Sequence, residues 1–378
     1  MAGRRDVGLV VPVLEDEPAV DDEDGDRGVT VGFHECYCTA MKAVGLYRYL
    51  PVDHPEALLD LELEAPVARA HDLLVEVKAV SVNPVDYKMR SPRDQVETTP
   101  RVLGWDVAGV VKSAGEAVTL FKPGDAVYYA GARMRQGGNS ELQLVDERIV
   151  GRKPANLGFA EAAAMPLTTL TAWEGMFERI GISKSGAHAG RSLLVIGGAG
   201  GVGSIAIQLG KQLARLRVIA TASRPESIKW ARELGADDIV DHNQDLAPQL
   251  KSLGVPEVDY VVVFSSLESY VPQLPAIVAP QGKICAIVGT AKPMDLGPLM
   301  AKSVTFAWEL MFTRPQYQTA DMIVQHQILD EAAALFEKGT LRSTMTTRLA
   351  PINAANLKAA HAMLEGGHVI GKIVLEGF

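Results

Sequence analysis

The 378-residue sequence has only three cysteines, Cys36, Cys38 and Cys285. Three thiols are too few for a disulfide framework, and their spacing does not match a four-thiolate zinc site. Because structural disulfides belong to oxidising compartments, this low cysteine content predicts a cytoplasmic protein.

Long apolar runs are missing as well. No segment approaches the roughly 20 consecutive apolar residues that a membrane-spanning helix needs. Residues 7–14 form a short apolar stretch after two arginines, but the stretch contains Pro12 and leads into an acidic block without a small-residue cleavage pattern. The sequence therefore predicts neither a membrane segment nor a secretory signal.

Positive charge is scarce. The chain has 37 Lys and Arg against 46 Asp and Glu, a formal net charge of -9. Residues 1–40 hold ten of the acids and only three arginines, a net of -7, so the rest is nearly neutral. A neutral body without a basic stripe predicts no nucleic-acid partner. The acidic block cannot bury an apolar face, so residues 1–40 are predicted to be a disordered extension, with an acidic interaction tail as the alternative.

The sequence does contain a glycine-rich turn near its middle. Apolar residues 193–196 predict a buried strand, and 205–215 have helical spacing. Between them, Gly198, Gly200 and Gly203 fit the pattern G-x-G-x-x-G. Such glycines allow a tight turn, close approach of a pyrophosphate and close packing of helix on strand, while the helix N-terminus offers free N–H groups to phosphates. The motif predicts a dinucleotide site, and an ordinary glycine-rich turn is the alternative; the residues assigned to the site are Gly198, Gly200, Gly201, Val202 and Gly203.

The pattern around this motif predicts two kinds of structure. Between residue 41 and about residue 150, short valine-rich runs separated by Pro and Gly predict a small β-barrel or sandwich. From about residue 166, strands alternate with helices, which is typical of a doubly wound parallel sheet. Its predicted strands are 193–196, 217–221, 238–240, 260–264, 283–288 and 304–308. Helices at 319–338 and 354–364 and strands at 345–349 and 372–375 follow.

Four motifs carry a resemblance to a known family. They are Ser-Val-Asn-Pro-Val-Asp-Tyr at 81–87, Leu-Gly-Trp-Asp-Val-Ala-Gly-Val-Val at 103–111, Phe-Lys-Pro-Gly-Asp-Ala-Val-Tyr at 121–128 and Pro-Leu-Thr-Thr-Leu-Thr-Ala-Trp at 166–173. In these motifs residues 41–378 resemble medium-chain dehydrogenases/reductases, and within them quinone oxidoreductases and the bacterial zinc-type alcohol dehydrogenase-like branch.

The resemblance implies an α/β fold with two domains. Residues 41–165 and 310–378 would form a GroES-like β-barrel domain, and 166–309 a Rossmann domain with a doubly wound parallel sheet. It also implies a homodimer, formed by edge-to-edge pairing near 304–308.

The branch name raises the question of zinc. Zinc alcohol dehydrogenases carry a Cys in the first motif, His-Glu in the second and a Cys or Asp where the Rossmann domain begins. This chain has Asn83, then Trp105 followed by Asp106, and no thiol or acid at 165–168. A catalytic zinc needs three protein ligands, and one carboxylate cannot supply them. The sequence therefore predicts no metal site.

The residues after strand 217–221 indicate the coenzyme. In NAD-specific sites an acid about 20 residues past the fingerprint binds the ribose hydroxyls. Here Ser223 and Arg224 stand at that point, and both can bind a 2′-phosphate, with Lys229 close enough to assist. The sequence predicts NADPH; the alternative for Arg224 and Lys229 is that they are solvated charges at a helix start.

Further coenzyme contacts are implied by the resemblance alone. Thr168 and Thr171 would touch the nicotinamide at the domain junction, and Val288 and Gly289 would lie on the nicotinamide side. Gly371 and Lys372, on the returning tail, would approach the phosphates.

The absence of zinc ligands limits the chemistry. Hydride delivery to a plain ketone would lack a Lewis acid, whereas a quinone or an α,β-unsaturated carbonyl needs only hydrogen bonds to its developing oxyanion. We predict Asn83 and Tyr87 as donors in the pocket and Asp86 as organiser of the loop; a simple turn at 83–84 and a packing role for Tyr87 are the alternative. Four of the eight histidines, His71, His242, His326 and His361, are predicted to be surface or packing residues.

The predicted function is NADPH-dependent hydride transfer to a small quinone or α,β-unsaturated carbonyl substrate without catalytic zinc. Two alternatives stay open: a zinc-type alcohol or aldehyde dehydrogenase, and a non-catalytic NADPH-binding protein.

Overall fold

The computed structural model describes residues 40–378. The predictions for the acidic segment 1–39, and those for Cys36 and Cys38, lie outside the described residues. Within residues 40–378, no helix combines the length and the hydropathy that crossing a membrane requires.

The first part of the described chain is built mainly from strands. Its valine-rich runs form strands because β-branched side chains pack well on a pleated surface. The strands are β1 (Ala40–Tyr49), β2 (Leu59–Glu64), β3 (Asp72–Val82), β4 (Arg93–Val102), β5 (Val107–Ala114), β6 (Ala126–Tyr129), β7 (Leu142–Asp146) and β8 (Val150–Arg152). β1 pairs with β2 and β4 in a three-stranded antiparallel sheet. β4 is absent from the sequence predictions because its residues are polar and largely exposed.

A short helix interrupts this all-β region and corrects the sequence interpretation of it. Helix α1 (Pro84–Arg90) begins directly after Asn83, where the sequence suggested a turn. Proline suits the first helical position, and Asp86 accepts a hydrogen bond from the backbone N–H of Asn83 at 2.6 Å. A helix of seven residues is too short to display an apolar period, which is why the pattern did not reveal it.

The second part alternates strands and helices. Helices α2 (Phe159–Ala163) and α3 (Pro166–Trp173) lead into it, and the π-helical turn Glu174–Arg179 continues α3. It comprises β9 (Ser192–Ile196), α4 (Gly201–Gln212), β10 (Arg217–Thr221), α5 (Pro225–Glu233), β11 (Asp238–Val240), α6 (Leu246–Ser252), β12 (Val258–Val263), α7 (Leu267–Tyr270), α8 (Leu274–Ile277), β13 (Val278–Ala286) and β14 (Thr305–Trp308).

These six strands form one sheet in the order β11-β10-β9-β12-β13-β14, and all of its pairs are parallel. Every residue of β9 is buried, as expected for a parallel sheet with both faces covered. The predicted doubly wound α/β sheet is therefore confirmed.

The C-terminal part returns to the strands of the first part and adds to the sheet that contains β3. It consists of α9 (Thr313–Tyr317), α10 (Val324–Glu337), β15 (Met345–Leu349), α11 (Ala354–Glu365) and β16 (Lys372–Glu376). β16 pairs with β3 and β15, which gives the strand order β15-β16-β3-β5-β6-β8, with β7 also on β3. α10 begins five residues later than predicted because 319–323 form turns after Gln318, whose φ of 46° is left-handed.

Candidate coenzyme and substrate site

The turn between β9 and α4 has the close packing that the glycine motif requires. A β-carbon placed on Gly203 would lie 2.2 Å from the carbonyl oxygen of Gly197, and one on Gly198 would lie 2.8 Å from the β-carbon of Ala220. At Gly200 the nearest atom would be 3.5 Å away, so the space beside it is open. The first N–H groups of α4 have no partner within the helix. This cradle fits the pyrophosphate of a dinucleotide.

The chain beyond β10 provides a polar cluster at the same sheet edge. Ser223 Oγ lies 3.2 Å from Nε2 of His242, and Arg224 Nη2 donates to the carbonyl of His368 at 2.8 Å. Lys229 is largely exposed, and its nearest ionic partner is Glu233 at 3.9 Å. The structure thus places His242 beside Ser223, while the neighbouring Arg224 contacts the returning tail at His368.

His242 lies at the surface, as predicted, and its contact with Ser223 is one that the sequence analysis did not anticipate. It follows β11, and β11 pairs in parallel with β10 with Thr221 opposite Val240. Neighbouring parallel strands end at the same edge, so the strand order was the signal that could have placed His242 near Ser223.

The returning tail lies against the glycine-rich turn. Gly371 N donates to the carbonyl of Ala199 at 2.9 Å, and Gly371 forms a parallel bridge with Gly200. Gly371 has a φ of 60°, and a β-carbon there would lie 2.3 Å from the carbonyl oxygen of Thr344. Only glycine therefore fits where the tail meets the turn.

Lys372 departs from the role that the resemblance implied. Its side chain passes Gly201, whose β-carbon would lie 2.8 Å from Lys372 Cδ. Its ammonium donates to the carbonyl of Val82 at 3.1 Å, to Asp106 Oδ2 at 2.9 Å and to Asn83 Oδ1. All three N–H groups are used, so this ammonium is not directed to a phosphate.

The residues implied for the nicotinamide side are placed as follows. Thr168 and Thr171 are buried, and their hydroxyls donate to the carbonyls of Met165 at 3.2 Å and Leu167 at 2.7 Å. The methyl group of Thr168 lies beside Gly201, at 3.0 Å from a β-carbon placed there. Val288 and Gly289 follow the end of β13, and the space beside Gly289 is open.

Asn83 is fully engaged inside the protein. Its Nδ2 donates to the carbonyl of Trp105 at 3.0 Å and to Asp106 Oδ2 at 2.9 Å, and its Oδ1 accepts from Lys372. The side chain is also buried. The prediction that Asn83 donates to a substrate is therefore corrected, because its amide protons are already bonded.

Asp86 and Tyr87 share helix α1 but differ in environment. Asp86 is fully buried, its Oδ1 has no partner, and burial raises the pKa of this carboxyl to about 7. Tyr87 is half-buried; burial, with a smaller contribution from Glu365, raises the pKa of its phenol. Tyr87 thus keeps its proton at neutral pH and has a phenol O–H to donate.

Asp106 is the centre of the buried polar group in this region. Its Oδ1 accepts from the backbone N–H of Leu167 at 2.7 Å, and its Oδ2 accepts from Asn83 and Lys372. Burial raises the pKa of Asp106, and the Lys372 charge opposes this rise. From the sequence, Asp106 is predicted only to be a poor metal ligand, and its contact with Lys372 of the tail has no signal in the local pattern.

These residues do not fit a catalytic zinc. The only acid among the expected ligand positions, Asp106, is saturated by three donors, and Trp105 offers a buried indole that packs edge-on against Phe312. Among residues 40–378, no group of three or more His, Cys, Asp and Glu side chains could hold a metal ion.

A second buried cluster consists of charged side chains before and after Phe312 in the chain and in the turn that follows α3. Glu174 and Glu309 are both buried, and each has one carboxylate oxygen without a hydrogen-bond partner. Arg314 pairs with Glu174 at 2.9 Å, and Arg179 donates to Glu309 at 2.7 Å. Burial, then the charge of Glu309, raises the pKa of Glu174 to about 8. Nothing in the sequence pattern linked these two acids, which are far apart in the chain.

Family models match both parts of the chain. Residues 69–174 match the alcohol dehydrogenase GroES-like domain, and residues 201–325 match the zinc-binding dehydrogenase family. A zinc-type alcohol dehydrogenase-like protein of Staphylococcus epidermidis is 41% identical over 337 residues, which are 89% of this chain and 99% of the relative. A chloroplastic quinone-oxidoreductase homolog of Spinacia oleracea is 28% identical over 332 residues, 85% of this chain and 94% of the relative.

Solved structures share the whole described fold. A protein of Rhizobium etli CFN 42, described as a zinc-dependent alcohol dehydrogenase, is 48% identical with a TM-score of 0.87, covering 90% of this chain and 99% of its own. The CurK enoyl reductase is 25% identical with a TM-score of 0.74, covering 89% and 99%. The chain therefore belongs to the medium-chain dehydrogenase/reductase superfamily, whose members use NAD(P), and is an oxidoreductase with a GroES-like domain and a Rossmann-like parallel sheet.

Proposed function

We propose that this protein is an NADPH-dependent oxidoreductase that transfers hydride to a quinone or an α,β-unsaturated carbonyl without catalytic zinc. One observation carries the proposal. Where a zinc site would require three ligands, the chain has a saturated group of Asn83, Asp106 and Lys372 beside the glycine-rich turn. An acceptor that needs no Lewis acid suits such a site.

The choice of NADPH is supported by the sheet edge after β10. No acid follows this strand at the position where NAD-specific sites bind the ribose hydroxyls, and Ser223 and Arg224 offer donors there. Lys229 is an auxiliary cation of the same helix. NADPH would supply a hydride from its nicotinamide ring, and the protein's contribution is binding, orientation and exclusion of water.

Different residues of this chain would bind the coenzyme, line its nicotinamide end and contact the acceptor. Gly198, Gly200, Gly201, Val202 and Gly203 would hold the pyrophosphate, and Thr168, Thr171, Val288, Gly289 and Gly371 would line the nicotinamide end. Asn83 and Asp86 fix the start of α1. Tyr87, with its raised pKa, is the donor that α1 offers to the developing oxyanion of an acceptor.

Two relatives support this acceptor class. The Spinacia oleracea protein is named a quinone-oxidoreductase homolog, and CurK is named an enoyl reductase. Both reactions reduce a conjugated acceptor. The staphylococcal and Rhizobium relatives carry zinc or alcohol dehydrogenase in their names, so zinc-type alcohol or aldehyde oxidation is the competing function.

The proposal also includes the domain bounds and the oligomeric state. We take 41–165 with 310–378 as the GroES-like domain and 166–309 as the Rossmann domain. A cytoplasmic homodimer would pair the β14 edges of two sheets, because β14 is the last strand in the sheet order and exposes Trp308.

The decisive experiment measures coenzyme oxidation and metal content on the same purified sample. We expect NADPH to outcompete NADH, quinones or alkenals to be reduced, zinc to be far below one per chain, and chelators to leave the rate unchanged. Stoichiometric zinc with alcohol oxidation would replace this proposal by the zinc-type dehydrogenase. NADPH binding without turnover on any acceptor would favour the non-catalytic role.

A further inference from the structure

The buried group around Lys372 joins segments that are distant in the sequence. Asp106 receives hydrogen bonds from Asn83 at 2.9 Å and from the backbone of Leu167 at 2.7 Å, and Asn83 donates to the carbonyl of Trp105 at 3.0 Å. The three motif positions at which zinc dehydrogenases carry metal ligands are thus connected by hydrogen bonds.

Lys372 fastens this group to the glycine-rich turn. Its ammonium bonds to Asp106 and Asn83, while its aliphatic carbons lie against Gly201 at the start of α4. The residue before it, Gly371, is bonded to the turn through Ala199. One side chain therefore connects the phosphate cradle, the start of α1 and the start of α3.

The charge arrangement explains why a lysine is needed. Asp106 is wholly buried, and Lys372 is 3% exposed. A buried carboxylate without a cation is strongly unfavourable. Asp86, also buried, lies close enough for the Lys372 charge to favour its ionised form. The ammonium has no donor left for a substrate, so its role is to position other groups.

We propose that Lys372 is a positioning residue of the active site: through Asp106 and Asn83 it holds together the segments that a zinc ion would hold in a zinc dehydrogenase, and it keeps them in register with the coenzyme cradle. The effect on hydride transfer rests on the proposed function, whereas the effect on coenzyme binding and local order does not require a known acceptor.

The test compares three variants with the native protein. Lys372→Met removes the charge, Lys372→Arg keeps it, and the double variant K372M/D106N removes both charges at similar volume while an amide oxygen at position 106 can still accept from the Leu167 N–H. Lys302→Met is the matched control, because Lys302 also bonds to a glutamate, Glu257 at 2.6 Å, and to a carbonyl, but it lies in the connection between β13 and β14.

Each variant is measured for unfolding, NADPH affinity, steady-state kinetics with a quinone or alkenal, and the isotope effect with C4-deuterated NADPH. For Lys372→Met we expect NADPH affinity to fall about tenfold and kcat/KM about 100-fold, with a larger isotope effect, because small displacements from the reacting geometry are costly. Amide exchange should accelerate at 83–90 and 165–171 but not in β12. Lys372→Arg should recover most of the loss.

The double variant separates positioning from simple stability. Without an uncompensated charge it should unfold like the native protein, yet it should keep the weak NADPH binding and low kcat/KM. If it regains both stability and catalysis, or if Lys372→Met behaves like Lys302→Met, the inference is wrong. If the native protein itself binds NADPH but reduces no acceptor, the proposed function fails, while the affinity and exchange data still decide the role of Lys372.

Discussion

Arg314 reaches from the segment after β14 to within 2.9 Å of the Glu174 carboxylate in the π-helical turn after α3. Glu178 and Asp321 also accept from Arg314, and Gln325 donates to Glu174. The segment that leads into the parallel sheet and the segment that follows its last strand are therefore joined by a buried charged cluster.

Glu174 makes stability depend on pH. Its pKa is raised in the folded state to about 8, above its ordinary value, so folding takes up a proton between these two values. This contribution is fully present below the ordinary pKa and is lost as pH rises to about 8. We expect Glu174→Gln to flatten the decline in the free energy of unfolding between about pH 5 and 8.

The control for Glu174 is Glu178→Gln. Glu178 contacts the same arginine at 2.8 Å but is partly exposed. Denaturant titrations at several pH values should show the native slope in this variant. An unchanged slope in Glu174→Gln would contradict the assignment of the proton to Glu174.

The glycine-rich turn offers a matched pair of substitutions. Gly203→Ala should cost about 3 kcal/mol or more of stability, because the new methyl group meets the Gly197 carbonyl at 2.2 Å. Gly200→Ala has room and a φ of −73°, so we expect a change within about 0.5 kcal/mol. NADPH titration should nevertheless show weaker binding to Gly200→Ala, since the methyl group enters the cradle. Native NADPH affinity in that variant would place the pyrophosphate elsewhere.

Arg224 should set the preference for the phosphorylated coenzyme. Removing a charge-assisted contact to the 2′-phosphate is expected to lower the NADPH-to-NADH ratio of kcat/KM about tenfold in Arg224→Ala. His242→Gln should lower this ratio less, because His242 contacts Ser223 and its substitution leaves Arg224 in place. Arg232→Ala, in the last turn of α5, is the control. A ratio that stays constant in Arg224→Ala would refute the 2′-phosphate assignment.

Cys285 should not react with thiol reagents in the folded protein. It is buried in β13, and burial, with the nearby Glu309, raises the pKa of its thiol to about 12. The thiolate is the reactive form, so thiol reagents at pH 8 should not modify this residue until the protein unfolds. In a variant with Cys36 and Cys38 replaced by serine, Cys285 is the remaining thiol, so any labelling reports on it. Rapid labelling of the folded protein would show that the β13 region opens.

Much of the fold followed from local pattern. Strands at 217–221, 238–240 and 345–349 have the predicted bounds, because turn residues flank each of them. The glycine spacing located the tight turn between β9 and α4, since only glycine tolerates the contacts found at Gly198 and Gly203. Polar β4 and short α1 escaped prediction, because neither has a long enough apolar period.

The sequence by itself determined the doubly wound sheet and the glycine-rich turn, because each depends on residue type at short spacing. The absence of zinc, inferred from the residues at three motif positions, stays a prediction. Only the tertiary structure decided what fills the site. Lys372 bonds to Asn83, and Glu174 packs near Glu309, across more than a hundred residues of chain. Such pairs arise when strands and connections from different parts of the chain meet, and a single sequence carries no local signal of their meeting.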